Sequence, residues 1–135
     1  MKAPFFLTLI MLLTGCFGSD FKYKEAQFNR EYQEVVNDLK ALHDFENAYI
    51  KWSVSKFGQK VNHTLKVYLK NGRDIPEPDS LKHAIGKAAM QLVLNSIDND
   101  TAYTDFVVYF ISEIRNGTVN MKRETPFAYR LEEFD

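Results

Sequence analysis

The pattern of apolar residues predicts an α+β domain: two helices packed on one face of a four-stranded, mainly antiparallel sheet, in the order αββαββ. Three observations carry this. Apolar residues recur at three-four spacing in two separate stretches, 28–42 and 81–97, neither interrupted by proline. After Asn47 the period changes to two, through 48–54 and again through 61–69, with a Gly-containing turn between. Two further β-prone runs flank Asn116-Gly117, a dipeptide suited to a tight hairpin.

Each element follows from its residues. From Phe21 to Glu46, Phe28, Tyr32, Val35, Val36, Leu39 and Leu42 share one face, with charged residues opposite and no Gly or Pro between. One long amphipathic helix is expected there, with Ser19 or Asp20 as its cap. Ile50, Trp52 and Val54 alternate with Tyr49, Lys51 and Ser53, and Val61 to Leu69 alternate in the same way. Phe57-Gly58-Gln59-Lys60 joins the two runs into an antiparallel hairpin. Ile75-Pro76-Glu77-Pro78 is extended, since a residue before proline is pushed out of the helical region. Asp79 or Ser80 then caps a second helix, whose small residues Ala84, Gly86, Ala88 and Ala89 permit close packing. Tyr103 to Ile114 is apolar on both faces, which suits a central strand. The return run, 119–134, contains Thr125-Pro126, which bends it or places it at an edge.

Composition limits the chemistry. The chain has 135 residues, a formal charge of −1, 45% hydrophobic residues and a single cysteine. Near neutrality gives no electrostatic reason to expect nucleic acid. Phosphate-loop, nucleophile-elbow, zincin and dinucleotide signatures are absent from the sequence, so no metal and no diffusible cofactor is expected. His43, His63 and His83 are the histidines. His63 falls on the inward face of its strand, where a hydrogen-bonded core residue is the simpler reading. Asp105 opens an apolar strand and is the acid whose environment is most open to perturbation. If the chain were a small hydrolase, Asp105 or His63 would carry it, with Glu113 as a further acid to test.

The most suggestive feature is a face. If helices cover Ile50, Leu65, Val67, Phe106 and Val108, the opposite sheet surface carries Tyr49, Tyr68, Tyr103 and Tyr109, with Val107 and Ile111, among Lys51, Thr64 and Lys66. Tyrosine offers apolar area and a hydroxyl at low entropy cost, which suits a binding surface for an envelope protein, a peptide or a glycan. Cross-strand pairing that simply stabilises the sheet is the alternative.

The first sixteen residues, MKAPFFLTLIMLLTGC, locate the protein. A lysine precedes an apolar stretch from Phe5 to Leu13, too short for a transmembrane helix. Leu13-Thr14-Gly15-Cys16 resembles the lipobox of bacterial lipoprotein precursors. The resemblance covers only this segment. It implies a signal peptide, 1–15, cleaved between Gly15 and Cys16, a diacylglycerol thioether on Cys16, and N-acylation of the new amine. Residues 16–20 would be a short tether and 21–135 one domain, anchored to a membrane of the cell envelope through lipid. Phe17, rather than Asp, after the cysteine implies the outer membrane if the host has one. Loss of residues 1–15, and with them Lys2, leaves 120 residues carrying −2 and no free thiol. The expected role is therefore a non-catalytic binding or assembly module, stabilised by packing rather than disulfides.

Overall fold

The structure, a computed structural model, describes residues 24–134. The expected signal peptide, Cys16 lipidation site, tether and Ser19 or Asp20 cap lie outside the described residues. Helix α1 spans Tyr32–Ala41, strand β1 Asn47–Phe57, β2 Lys60–Lys70, α2 Asp79–Asn95, β3 Asp105–Asn116 and β4 Val119–Tyr129. Short 3-10 turns at Asp100–Ala102 and Leu131–Phe134 complete the order. The fold is α+β, with both helices against one face of a sheet ordered β1-β2-β3-β4.

The two hairpins form for the same local reason. Phe57 pairs with Lys60 and Asn116 with Val119, leaving the two-residue loops Gly58-Gln59 and Gly117-Thr118. Each loop opens on a glycine at positive φ, +60° and +64°, which a hairpin turn of the primed type needs at its first position. Asn116 is thus the last residue of β3 rather than part of the turn.

Between the hairpins the pairing is different. β2 and β3 run parallel, from Thr64↔Asp105 to Lys70↔Ile111. Parallel neighbours cannot be joined by a tight turn, and α2 supplies the crossover. Both central strands are therefore apolar towards the helices: Leu65, Val67 and Leu69 are 0% exposed, and Phe106 and Val108 are equally enclosed. Val35, Val36 and Leu39 of α1 and Ala89, Met90 and Val93 of α2 complete this core. On the β1 edge, the Tyr32 hydroxyl accepts a hydrogen bond from the Ile50 N–H at 3.1 Å, satisfying a donor that an edge strand would leave open. β4 forms the other edge, where Pro126 sits opposite Tyr109.

Two expectations are corrected. The first helix does not extend through the described part of 21–31. Residues 24–30 are non-helical and strap across the end of α2. There Gln27 N–H donates to Asn99 Oδ1 (2.8 Å), Asp98 N–H to the Gln27 carbonyl (2.8 Å), and Asn29 N–H to the Ser96 carbonyl (2.9 Å). Asn99 Nδ2 donates in turn to the Glu25 carbonyl at 2.8 Å, and Phe28 bridges Ile97. These partners satisfy backbone groups that a helix would have used internally, so tertiary bonding overrides helical periodicity. At α2 the cap position is held by Pro78, in an extended conformation, with Asp79 already helical and no side-chain cap bond.

Close approach of α2 to the sheet depends on Gly86. A Cβ there would fall on the Tyr129 hydroxyl, and would lie 3.3 Å from Tyr129 Cζ and 3.4 Å from the Phe110 ring. That hydroxyl is held in place because it donates to the His83 carbonyl at 2.7 Å. Gly86→Ala should therefore destabilise. Overpacking costs about 1–3 kcal/mol, of which the better helix propensity of alanine returns about 1 kcal/mol. The same substitution in a Tyr129→Phe background should cost less, as read by denaturant midpoints in a double-mutant cycle.

Candidate functional site: a tyrosine row on the open face of the sheet

Side chains alternate along each strand, so the face opposite the helices is composed of the residues the core does not use. In register, Tyr49 lies beside Tyr68, Tyr68 beside Tyr109, and Tyr109 beside Pro126. Neighbouring strands lie about 4.7–4.9 Å apart, so aromatic rings held in register stack at that spacing. The ring centroids are 4.6 Å apart for Tyr49–Tyr68 and 4.8 Å for Tyr68–Tyr109, with interplanar angles of 11° and 9°. The three rings stand half-buried as a continuous row crossing three strands. Because Tyr68 is stacked on both faces, what it offers a partner is its edge and hydroxyl rather than a flat ring.

Charge is distributed unevenly around the row. On one side Lys51 and Lys66 are register partners. Lys51 Nζ lies 5.3 Å from the Tyr49 ring centre and 5.8 Å from that of Tyr68, a cation–π arrangement that relieves part of the repulsion between the two lysines. On the other side the charges are paired. Glu113 accepts from Lys70 Nζ at 2.8 Å and from Arg115 Nε at 3.1 Å, and these two cations hold its carboxyl below the usual range. Lys122 and Glu124 pair at 3.1 Å. Ile111, 4% exposed although it lies outside the main core, is covered on this face. Burial raises the Tyr68 phenol above its ordinary value, reinforced by Tyr109, Tyr49 and Glu124, so its hydroxyl remains a donor into alkaline solution.

Asn71 holds this end of the face together, and its place at the end of β2 was the only signal for it in the sequence. At φ +50° it leaves the strand, yet its N–H still donates to the Ile111 carbonyl at 2.8 Å. Its Oδ1 accepts from the Glu113 N–H at 2.8 Å, and its Nδ2 donates to Glu46 at 2.7 Å. The side chain thus extends the β2–β3 ladder by one step.

Tyr103 does not belong to the face. It precedes β3, is 3% exposed and joins the core, where its hydroxyl donates to the Lys24 carbonyl. The strand begins at Asp105, so the alternation extrapolated back to Tyr103 does not apply. Burial pushes its phenol up to about 12.

The candidate catalytic residues are not assembled. His63 is 7% exposed on the helix side, and among the described residues its Nδ1 has no hydrogen-bond partner, where a satisfied imidazole was expected. Asp105 is exposed on the opposite face, where it accepts from Thr104 Oγ1 at 3.0 Å. His83 packs on Tyr129 and Phe127, with ring centres 4.7 and 6.0 Å away. His43 lies in the turn after α1, and its carbonyl accepts from the Arg73 N–H. Among the described residues no three His, Cys, Asp or Glu side chains lie together as a metal site, and no helix is long and apolar enough to cross a membrane.

Removing a ring tests how much the row contributes to stability. Tyr68→Leu loses two stacked contacts and should cost about 1–3 kcal/mol, whereas Tyr49→Leu loses one and should cost about half as much in denaturant unfolding. The pH dependence has a defined sign. The folded chain retains the Tyr103 proton up to about pH 12, while the unfolded chain loses it near the ordinary tyrosine value of 10. That contribution to stability is complete below about pH 10 and is lost as pH rises towards 12. Tyr103→Phe should flatten the decline in unfolding midpoint across this window. In comparisons with protein-family models, curated proteins and solved structures, the chain matches none.

Proposed function

We propose that this chain is a lipid-anchored protein of a bacterial cell envelope that serves as a non-catalytic binding or assembly module, with the Tyr49–Tyr68–Tyr109 face as its contact surface. The row of stacked rings, uncovered by either helix, carries the binding part of this reading. It combines a rigid apolar strip with three aligned hydroxyls whose ordering cost is already met by stacking within the fold. Envelope proteins and peptides suit it better than glycans, because the flat ring faces that sugars stack on are largely occupied by neighbouring tyrosines.

The anchoring part rests on Leu13-Thr14-Gly15-Cys16. Two or three acyl chains on Cys16 hold a protein stably at a bilayer, at about 0.8 kcal/mol per buried CH₂. Eight residue steps separate Cys16 from Lys24. Even fully extended they span about 27 Å, so the domain would work close to the bilayer, in the outer membrane where the host has one. His63 and Asp105 lie on opposite faces, so a hydrolase would have to use one of them without the other.

Affinity recovery of the native protein from its own envelope, followed by mass spectrometry, tests both parts. Tyr49→Phe, Tyr68→Phe and Tyr109→Phe together keep the stack and delete the hydroxyls. At about 0.5–1.5 kcal/mol for each lost hydrogen bond, partner recovery should fall by roughly tenfold or more. Undiminished recovery would exclude this face. Cys16→Ser should release the protein from the membrane fraction and block maturation; continued membrane partition with normal processing would exclude the anchor.

A further inference from the structure

On the helix side, away from the tyrosines, a cleft of about 190 Å³ opens between the first turn of α2, residues 71–77 and the β3–β4 hairpin. Its floor is apolar: Phe45, Leu69, Ile75 and Phe110. The loop is packed tightly around it, since a Cβ on Gly72 would lie 2.5 Å from Ile75 Cδ1 and 2.6 Å from Phe45 Cε1. Its rim is polar and net positive. Lys82 stands on one side and Arg123 on the other, and neither takes part in an ion pair among the described residues. Ser112 and Thr125 supply hydroxyls, because Ser112 pairs with Arg123 and Phe110 with Thr125, which places all four residues on the same side of the sheet. Glu77 also borders the cleft and reduces the rim to a single net positive charge. The first turn of α2 beside it has no side-chain cap but carries Asp79, which offsets the helix dipole there, so the positive potential of the rim comes from Lys82 and Arg123.

We infer that this cleft binds a compact apolar group bearing one carboxylate, with the apolar part against Phe45, Ile75 and Phe110 and the carboxylate between Lys82 and Arg123. Several features select that chemistry. The volume corresponds to about six water molecules, which fits a short branched or aromatic group inside the cleft, with anything longer extending past the rim. A net charge of +1 at the rim balances a monoanion, whereas a phosphate dianion would carry excess negative charge and be repelled more strongly by Glu77. Arginine and two hydroxyls provide the planar, multiple donors that a carboxylate accepts. The same face continues outward along the hairpin through Ile114 and Met121, register partners, to Val119, all three exposed. A ligand longer than the cleft therefore meets apolar surface immediately beyond the rim.

Such a group has two sources, a free carboxylic acid or the C-terminal apolar residue of a polypeptide, and they can be told apart. Isotope-labelled protein is titrated with 4-methylpentanoate, and separately with an N-acetylated tetrapeptide ending in leucine, each as the free acid and as the amide. The expected result is saturable amide shifts at Gly72, Ser112 and Thr125 with an acid and at least tenfold weaker binding of its amide. A response to 4-methylpentanoate alone identifies a free acid as the ligand, and a response to the peptide identifies a chain terminus. Lys82→Gln and Arg123→Gln, both substitutions at the rim, should each weaken binding about tenfold, and Glu77→Gln should strengthen it. Equal binding of acid and amide, wild-type affinity in both Gln variants, or no shifts with any probe at millimolar concentration would overturn the assignment. Because the cleft and the tyrosine row lie on opposite faces, these results are independent of the role proposed for the row.

Discussion

The in-register parallel pairing of β2 with β3 is the constraint on which the rest of the molecule depends. It brings Leu65, Val67 and Leu69 alongside Phe106, Val108 and Phe110 on one face, making the floor on which both helices pack. The same pairing brings Tyr68 beside Tyr109 on the other face. A slip of one residue would exchange the two faces of β3, burying Tyr109 and Glu113 and exposing Phe106 and Val108. Core and tyrosine row are therefore consequences of one register, and neither can be altered without the other.

That register is held at both ends by side chains that stand in for backbone. Near the start of β3, Thr104 N–H donates to the His63 carbonyl at 2.8 Å, and Thr104 Oγ1 accepts from the His63 N–H at 3.2 Å. Beyond the end of β2, Asn71 continues the ladder to Ile111 and Glu113. The Lys70–Glu113–Arg115 charges add to this end, where a partly covered carboxylate flanked by two cations contributes more than an isolated surface pair. His63, buried beside the first of these junctions, has an Nδ1 that finds no hydrogen-bond partner among the described residues.

The two faces are built for different kinds of contact. The helix side is filled where α1 and α2 pack, and it opens past the first turn of α2, where the cleft lies and the β3–β4 hairpin projects. The other side is flat, ringed by charge and ordered by its own stacking. A chain near neutrality can in this way present a lysine pair with no carboxylate partner among the described residues, beside aromatic rings, while remaining balanced as a whole.

Local periodicity by itself determined the number and kind of elements: the α2 stripe, the alternation of β1 and β2 and the glycine turns are short-range preferences that tertiary packing reinforces. The composition of the open face, Tyr49, Tyr68 and Tyr109 with Lys51 and Lys66, was equally legible, because alternation assigns faces without knowledge of neighbours. Whatever depended on contacts distant in sequence was decided only by the tertiary structure. Residues 24–30 read as helix because their spacing is helical, yet Ser96, Asp98 and Asn99 offer their backbone better partners. Tyr103 read as part of the face because alternation cannot reveal where a strand begins. The parallel union of β2 with β3, and with it the stacking of Tyr68 on Tyr109, leaves no local mark, since strand composition is nearly the same for either direction of pairing. The cleft was invisible for the same reason: Phe45, Lys82 and Arg123 meet only because a helix, a loop and a hairpin converge there.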